Sequence, residues 1–279
     1  MKAASYLRED LAGQMGSDDL LAWAEGVASQ VQPGQVYRNK EGRITLRFEY
    51  QGKSFFLKLH RGIGWREVFK NLLQLRLPII SARNEYEAVH RLESLNIDTL
   101  AIVAYSLQGI NPASTHSMLV TEELTGTVSL EDYCRDWAGS PPPASLKRRL
   151  INKLASSASG MHGGGINHRD FYLCHFHLDP DSLESRQLRC HLIDLHRAQL
   201  RESTPRRWRV KDLAGLYFSA MDCGLSRRDL LRFIHQYSDG GLRQALGIDK
   251  SLWQEVERGA VKLYRKEHGS DPPQPCIGG

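Results

Sequence analysis

The stretch Asn167-His168-Arg169-Asp170-Phe171-Tyr172, taken with His191-Leu192-Ile193-Asp194 further on, decides how this chain folds. Phosphoryl transfer needs one carboxylate to receive the proton of the acceptor hydroxyl and another to hold Mg²⁺ against the nucleotide phosphates. Asp170 fits the first role and Asp194 the second. Chance supplies His-Arg-Asp often, so the surroundings carry the weight. From Leu146 to Met161, the residues Leu146, Leu150, Leu154, Ala158 and Met161 recur on one helical face, while Lys147, Arg148, Arg149 and Lys153 turn away. Gly163-Gly164-Gly165 then stops the helix, because glycine takes the left-handed conformation without a Cβ clash. The expected order is helix, glycine stop, short strand and His-Arg-Asp loop. The apolar run ending at Ile193 reads as another short strand, one that delivers Asp194.

The chain has 279 residues, a net charge of +5 and an ordinary apolar share of 41%. That is enough to bury a substantial core in one bilobed domain or two small ones. No apolar run is long enough to cross a bilayer, and Arg8, Glu9 and Asp10 interrupt any signal peptide, so the expected compartment is the cytoplasm. Cys134, Cys174, Cys190, Cys223 and Cys276 are odd in number and form no Cys-x-x-Cys pair, which suits reduced thiols. The positive charge is unevenly spread and points to an anionic partner, with nothing that marks nucleic acid.

Outward from the catalytic loop, residues 1–34 read as a helical appendage with Leu20, Leu21, Trp23, Ala24 and Val27 on its apolar face. Residues 35–124 read as an antiparallel meander with added helices. Ile44, Leu46 and Phe48 alternate, Gln51-Gly52-Lys53 turns, and Phe55-Phe56-Leu57-Lys58-Leu59 follows. Lys58 either reaches inward to a phosphate or faces out from its strand. Trp65 to Leu77 and Ala82 to Leu95 have helical spacing. In the second, either Glu85 or Glu87 could meet Lys58, although acids are also expected in a first helical turn. Asn96 to Tyr105 and His116 to Glu123 read as strands. Residues 125–268 are mainly helical, and 269–279 form a Pro/Gly-rich tail expected to be disordered. Strands first and helices after give an α+β, bilobed fold: an N-lobe antiparallel sheet plus helix and a helical C-lobe. Neither a Gly-x-x-x-x-Gly-Lys-Ser/Thr loop nor a good Gly-x-Gly-x-x-Gly occurs, which excludes the P-loop and Rossmann classes.

Four strings, Lys58-Leu59-His60-Arg61-Gly62-Ile63-Gly64-Trp65, Val120-Thr121-Glu122-Glu123-Leu124, Asn167 to Phe176, and Ile193-Asp194-Leu195-His196-Arg197-Ala198-Gln199, are far more specific than His-Arg-Asp. On them the chain, from about Gln35 to Lys266, resembles the lipopolysaccharide core heptose(I) kinase family of the protein-kinase-like superfamily. The resemblance implies ATP- and Mg²⁺-dependent phosphorylation of the first inner-core heptose, next to acidic Kdo sugars, at the cytoplasmic face of the inner membrane. It implies that Lys58 holds nucleotide phosphates and Glu85 orients it. Glu122 and Leu124 would lie in the hinge that meets adenine. Asp170 would be the base with Arg169 beside it, and Asp194 the metal ligand. Asp212 would brace the catalytic loop, unless it is only a helix cap. His175 stands where the superfamily places a metal-binding Asn, and imidazole suits Mg²⁺ poorly. Acyl carrier protein is a partner suggested by the resemblance alone.

The basic segment Arg197 to Lys211 reads either as a solvated loop or as an acceptor site, with Arg206, Arg207 and Arg209 forking acidic groups and Trp208 offering a face to a sugar. Arg61, Arg66, Lys70 and Arg76 could face an anionic membrane while the apolar stripe of their helix packs inward. Cys174, His175, His177, Cys190 and His191 would be zinc ligands only with a spacing that no common finger has. The rival functions are a tyrosine or serine protein kinase, against which the missing glycine-rich loop argues, and a non-catalytic kinase-fold binding protein. Retention of Lys58, Asp170 and Asp194 argues against the latter.

Overall fold

The computed structural model describes residues 4–12, 19–40, 42–62, 64–73, 81–109, 111 and 113–273. The chain divides into two compact units: residues 1–90 with 100–125, and residues 91–99 with 126–279.

The first unit is built on a six-stranded antiparallel sheet. In chain order its elements are β1 (Ala4–Leu7), α1 (Glu9–Ala12), α2 (Leu20–Gln30), β2 (Val36–Lys40), β3 (Arg43–Tyr50), β4 (Lys53–Arg61), α3 (Gly64–Leu73), α4 (Arg83–Ser94), β5 (Ile102–Gln108) and β6 (His116–Glu122), and α4 runs past the boundary of the unit. The strand order is β1-β5-β6-β4-β3-β2. Gln51 and Gly52 both take positive φ, the backbone of a two-residue hairpin turn, and set the register that pairs Leu46 with Leu57 and Phe48 with Phe55. Those four side chains are buried with Leu59, Val103, Met118 and Val120. Because side chains alternate across a strand, burying Leu57 and Leu59 on one face commits Lys58 to the other.

Three expectations change in this unit. Residues 4–34 are more than an appendage: β1 pairs with β5, and Leu20, Leu21 and Ala24 of α2 join the core. The strand expected from Asn96 begins only at Ile102. Three apolar residues of α3 do not pack inward: Trp65, Phe69 and Leu73 are 51%, 58% and 86% exposed. Four residues apart, they form one line along the helix. Residues 74–77 of the expected helix, with Arg76, lie outside the described residues, as do Cys276 and the last part of the tail.

The second unit contains β7 (Val128–Ser129), α5 (Leu130–Tyr133), α6 (Ala144–Gly163), β8 (Ile166–Asn167), β9 (Phe176–Leu178), β10 (Cys190–Leu192), β11 (Gln199–Leu200), α7 (Arg206–Ala220), α8 (Arg227–Tyr237), α9 (Gly241–Leu246) and α10 (Lys250–His268). α5 is a single short turn between β7 and the longer α6. α6 buries the face read from its periodicity, including Leu150, Leu154, Ala158 and Met161. Its glycine stop works one residue later than a simple cap: Gly164 ends the helix at φ −76, and Gly165 takes φ +81. Of the basic segment Arg197 to Lys211, the part from Arg206 onward is helical and forms the start of α7 after Pro205. Arginine is a good helix former, and proline at a helix start costs no hydrogen bond.

Gly165 accepts from the Arg201 amide at 2.9 Å in the ladder that carries β8 and β11 past the catalytic loop. A Cβ at Gly165 would collide with the Arg201 carbonyl oxygen. We predict that Gly165→Ala lowers stability by more than about 2 kcal/mol, from left-handed strain plus a backbone displacement. Chemical denaturation of parent and variant checks this, and equal midpoints would contradict it.

Candidate active site

In the first unit, Lys58 leaves β4 on the face opposite the core and its Nζ donates to Glu85 Oε1 at 2.6 Å. Glu85 lies in the first turn of α4 and is buried, whereas Glu87 is turned to Arg83. The lysine is thus held by an acid that has little access to water. Glu122 ends β6 with its carboxylate on Arg8 at 2.6 Å and its amide on the Ala101 carbonyl at 3.0 Å, and the Glu123 amide donates to the Ser54 carbonyl.

In the second unit the His168–Asp170 loop, the candidate catalytic loop, is wired to α7. Asp212 is fully buried; its Oδ2 accepts the His168 amide at 2.7 Å and its Oδ1 the Arg169 amide at 2.8 Å. Arg169 has φ +78, a conformation that costs an L-residue roughly 1–2 kcal/mol. The two charge-assisted bonds from adjacent amides offset that cost. The imidazole of His162 on α6 adds a third contact to Asp212 and meets the Tyr237 hydroxyl with its other nitrogen. His168 is buried; its Nε2 faces the Ile193 carbonyl at 2.9 Å and must donate, and burial pushes its pKa down. That bond ties the loop holding Asp170 to the segment holding Asp194.

Asp170 accepts two hydrogen bonds from Nη1 of Arg197, at 2.7 and 2.9 Å. This partner was not foreseen for Asp170, since pairing across such a sequence distance leaves no local signal. Asp194 follows β10 in the left-handed conformation, φ +61, which Asp tolerates better than most residues. Its Oδ1 contacts Nδ1 of His196, and Nε2 of His175 lies 3.6 Å from its Oδ2. Nδ1 of His175 donates to the Asp170 carbonyl at 2.6 Å. Burial alone would lower the pKa of His175. Bonds to Cys174 and to that carbonyl, with the charge of Asp194, outweigh burial and raise it to about 9. A protonated ring suits an ion-pair partner of Asp194 better than a ligand beside it.

The four basic-segment candidates separate. Arg206 is spent on Glu255 and Ser251, and Arg209 reaches the Tyr237 hydroxyl. Trp208 stays near the loop, with the guanidinium of Arg207 5.2 Å from its ring centroid and that of Arg169 at 5.4 Å. Among the described residues, no group of three or more His, Cys, Asp or Glu is arranged to hold a metal ion, and His177 and His191 turn to Thr127 and to the Thr99 carbonyl. Mg²⁺ asks for less: one or two carboxylates with substrate phosphates and water, and Asp194 fits that need.

Comparison with known proteins resolves which phosphoryl-transfer family this is. The model of the lipopolysaccharide kinase (Kdo/WaaP) family matches residues 28–237. The chain belongs to this family. It is 49% identical over 241 residues to the lipopolysaccharide core heptose(I) kinase WaaP of Pseudomonas aeruginosa strain PAO1, covering 86% of this chain and 90% of that protein. The same identity holds over 233 residues with the WaaP of Escherichia coli K12, at 83% and 87% coverage. A solved structure described as WaaP in complex with acyl carrier protein superposes with a TM-score of 0.79 at 42% identity, covering 94% of this chain and 99% of that one. Membership in the Kdo/WaaP family accounts for the kinase-like α+β fold and for a phosphotransferase activity.

The histidines give the site a pH signature. His175 binds its proton more tightly folded than unfolded, where the value is near 6.5, so its contribution to stability is complete below about pH 6.5 and is lost as pH rises through about 9. His168 acts oppositely: its lowered pKa makes stability fall as pH drops below the unfolded value. We predict that His175→Gln flattens the decline between pH 6.5 and 9 in urea denaturation without metal. An unchanged decline would show that the His175 proton is not held by Asp194 and the Asp170 carbonyl.

Proposed function

We propose that this chain transfers the γ-phosphoryl group of ATP to a hydroxyl of the first heptose of the lipopolysaccharide inner core. The reading is carried by an identity of about half to core heptose(I) kinases over most of both chains, in a protein whose Asp170 loop is held by the buried carboxylate of Asp212. Lys58, oriented by Glu85, neutralises the nucleotide phosphates. Asp170 takes the proton of the heptose hydroxyl as its oxygen attacks the γ-phosphorus and the bond to the β-phosphate oxygen breaks, leaving ADP. Arg197 does not block this, because each oxygen of Asp170 keeps a second direction for accepting a hydrogen bond. Asp194 would hold Mg²⁺, whose charge would help neutralise the nucleotide phosphates. Asp212 and Arg169 act as positioning residues, and His175 serves Asp194 as a charged neighbour. The Glu122 carbonyl and Leu124 receive adenine. The acceptor enters beside Arg207 and Trp208.

The test is incubation with ATP, Mg²⁺ and unphosphorylated core oligosaccharide, followed by mass spectrometry of the sugar. Asp170→Asn keeps the shape of the side chain but removes proton acceptance. Turnover should fall by at least about two orders of magnitude, the usual scale of general-base catalysis, with ATP affinity kept. Near-parental turnover would remove Asp170 from the mechanism. A protein kinase would instead phosphorylate peptide tyrosine or serine and leave the sugar unmodified.

Acyl carrier protein, strongly acidic, is a partner suited to the basic chain, and a WaaP has been solved in complex with one. Contact with the inner face of an anionic membrane is supported by α3. No described helix is long and apolar enough to span a bilayer. α3 instead exposes Trp65, Phe69 and Leu73, with Arg66 exposed on the same helix, the make-up of a segment that lies in the headgroup region. Trp65→Asp with Phe69→Asp should cut sedimentation with phosphatidylglycerol vesicles at least about tenfold while leaving ATP binding intact. Equal sedimentation would exclude α3 as the contact.

A further inference from the structure

The start of α7 breaks an electrostatic rule. Arg206, Arg207 and Arg209 occupy its first turn, the positive end of the helix dipole, with no acid there and no side-chain cap from Pro205. Trp208 is the centre of a still larger concentration of charge. Around its ring centroid stand Arg207 at 5.2 Å, Arg169 at 5.4 Å, Lys211 at 5.4 Å and Arg201 at 5.9 Å.

Nearby carboxylates are already committed. Asp212 serves two amides, and Asp170 is engaged by Arg197. Arg201 donates to the neutral oxygens of Asn167 and Gln199. The buried Nε of Arg169 and the buried indole nitrogen of Trp208 reach no acceptor at all. Contacts with an aromatic face are weak and cannot cancel the repulsion of cations brought this close. Burial and the neighbouring arginines push down the pKa values of both Arg169 and Lys211, and the carboxylates of Asp170 and Asp212 offset this only in part. Unpaired buried donors and uncompensated cations are both relieved by one anion.

We propose that Arg169, Arg201, Arg207 and Lys211 around Trp208 form a built anion site next to Asp170 that binds a carboxylate of the acceptor. This rests on the acceptor reading above and changes its residues, replacing Arg206 and Arg209 by Arg169, Arg201 and Lys211. A carboxylate is favoured because planar guanidinium groups pair with it edge to edge, and the cluster adjoins Asp170, the residue that takes the acceptor's proton in the reading above. The charge is then a selectivity device: a sugar acid next to the reacting hydroxyl anchors the acceptor, and a neutral glycan does not.

Lys211→Met and Arg207→Met test the site in the full-length protein with ATP, Mg²⁺ and three acceptors: core oligosaccharide, the same material after carboxyl reduction, and the same material after phosphatase treatment. In the parent, carboxyl reduction should raise the acceptor KM at least about tenfold, with the KM for ATP unchanged, and phosphatase should have little effect. In each variant the KM for intact acceptor should rise by at least about fivefold and the penalty for carboxyl reduction should shrink. Lys211→Met should also raise the melting temperature of the free protein, because it removes repulsion, which a merely structural lysine would not do. Loss that follows phosphatase treatment, or variants that keep the full carboxyl penalty, would overturn the proposal. A readout without turnover separates it from the heptose reading. Galacturonate, but not galactose, should raise the melting temperature of the parent and not of the Arg207→Met, Lys211→Met double variant. A parent that responds this way yet leaves core oligosaccharide unphosphorylated would sink the heptose kinase reading and keep the anion site. A parent that phosphorylates the core but responds to neither carboxylate probe would do the reverse.

Discussion

The carboxylate of Asp212, closed on the amides of His168 and Arg169, is the contact on which the catalytic region depends. Two adjacent N–H groups can point at one carboxylate only if the chain between them turns sharply, and here the turn is made by a non-glycine residue at positive φ. The same contact decides where Asp170 points, since it is the next residue in the chain. Because Asp212 is buried in the middle of α7, the position of the loop is inherited from the packing of a helix. A helix in a core is harder to displace than a loop in water.

The first unit solves a different problem, that of keeping a lysine charged and extended next to an apolar sheet. Strand alternation puts Lys58 off the core face, and the buried Glu85 meets it there. Removing the acid would leave the ammonium without its partner, and removing the lysine would strand a buried carboxylate. Such a pair contributes less to stability than to a fixed geometry.

Much of this was legible from residue patterns, and the rest was hidden for identifiable reasons. The meander was readable because Ile44, Leu46 and Phe48 alternate and Gln51-Gly52 turns the chain, and α6 because its apolar face keeps a helical period. The strings around Asp170 and Asp194 stood out because few residue types suit phosphoryl transfer. β1 was missed because Ala4 to Leu7 is too short for alternation to register and its partner β5 is distant in sequence. The helical start of α7 was not foreseen because consecutive arginines normally mark a solvated segment, and the pull of Asp212 further along the helix is tertiary. Arg197 on Asp170 is likewise a long-range pairing with no spacing rule. The face of α3 was read as core because periodicity reports an apolar line without saying what lies against it.

The pairing of β1 with β5 bears on how the chain can be shortened. The family match begins at residue 28, which invites trimming to that point. Doing so would uncover the hydrogen-bonding edge of β5, a strand whose residues from Ile102 to Leu107 are buried, and would strip Leu20, Leu21 and Ala24 from the core. An apolar strand with an open edge is a template for pairing with other chains. The first residues act as a guard strand, and a trimmed protein would be prone to aggregate even with every residue of the catalytic loop in place.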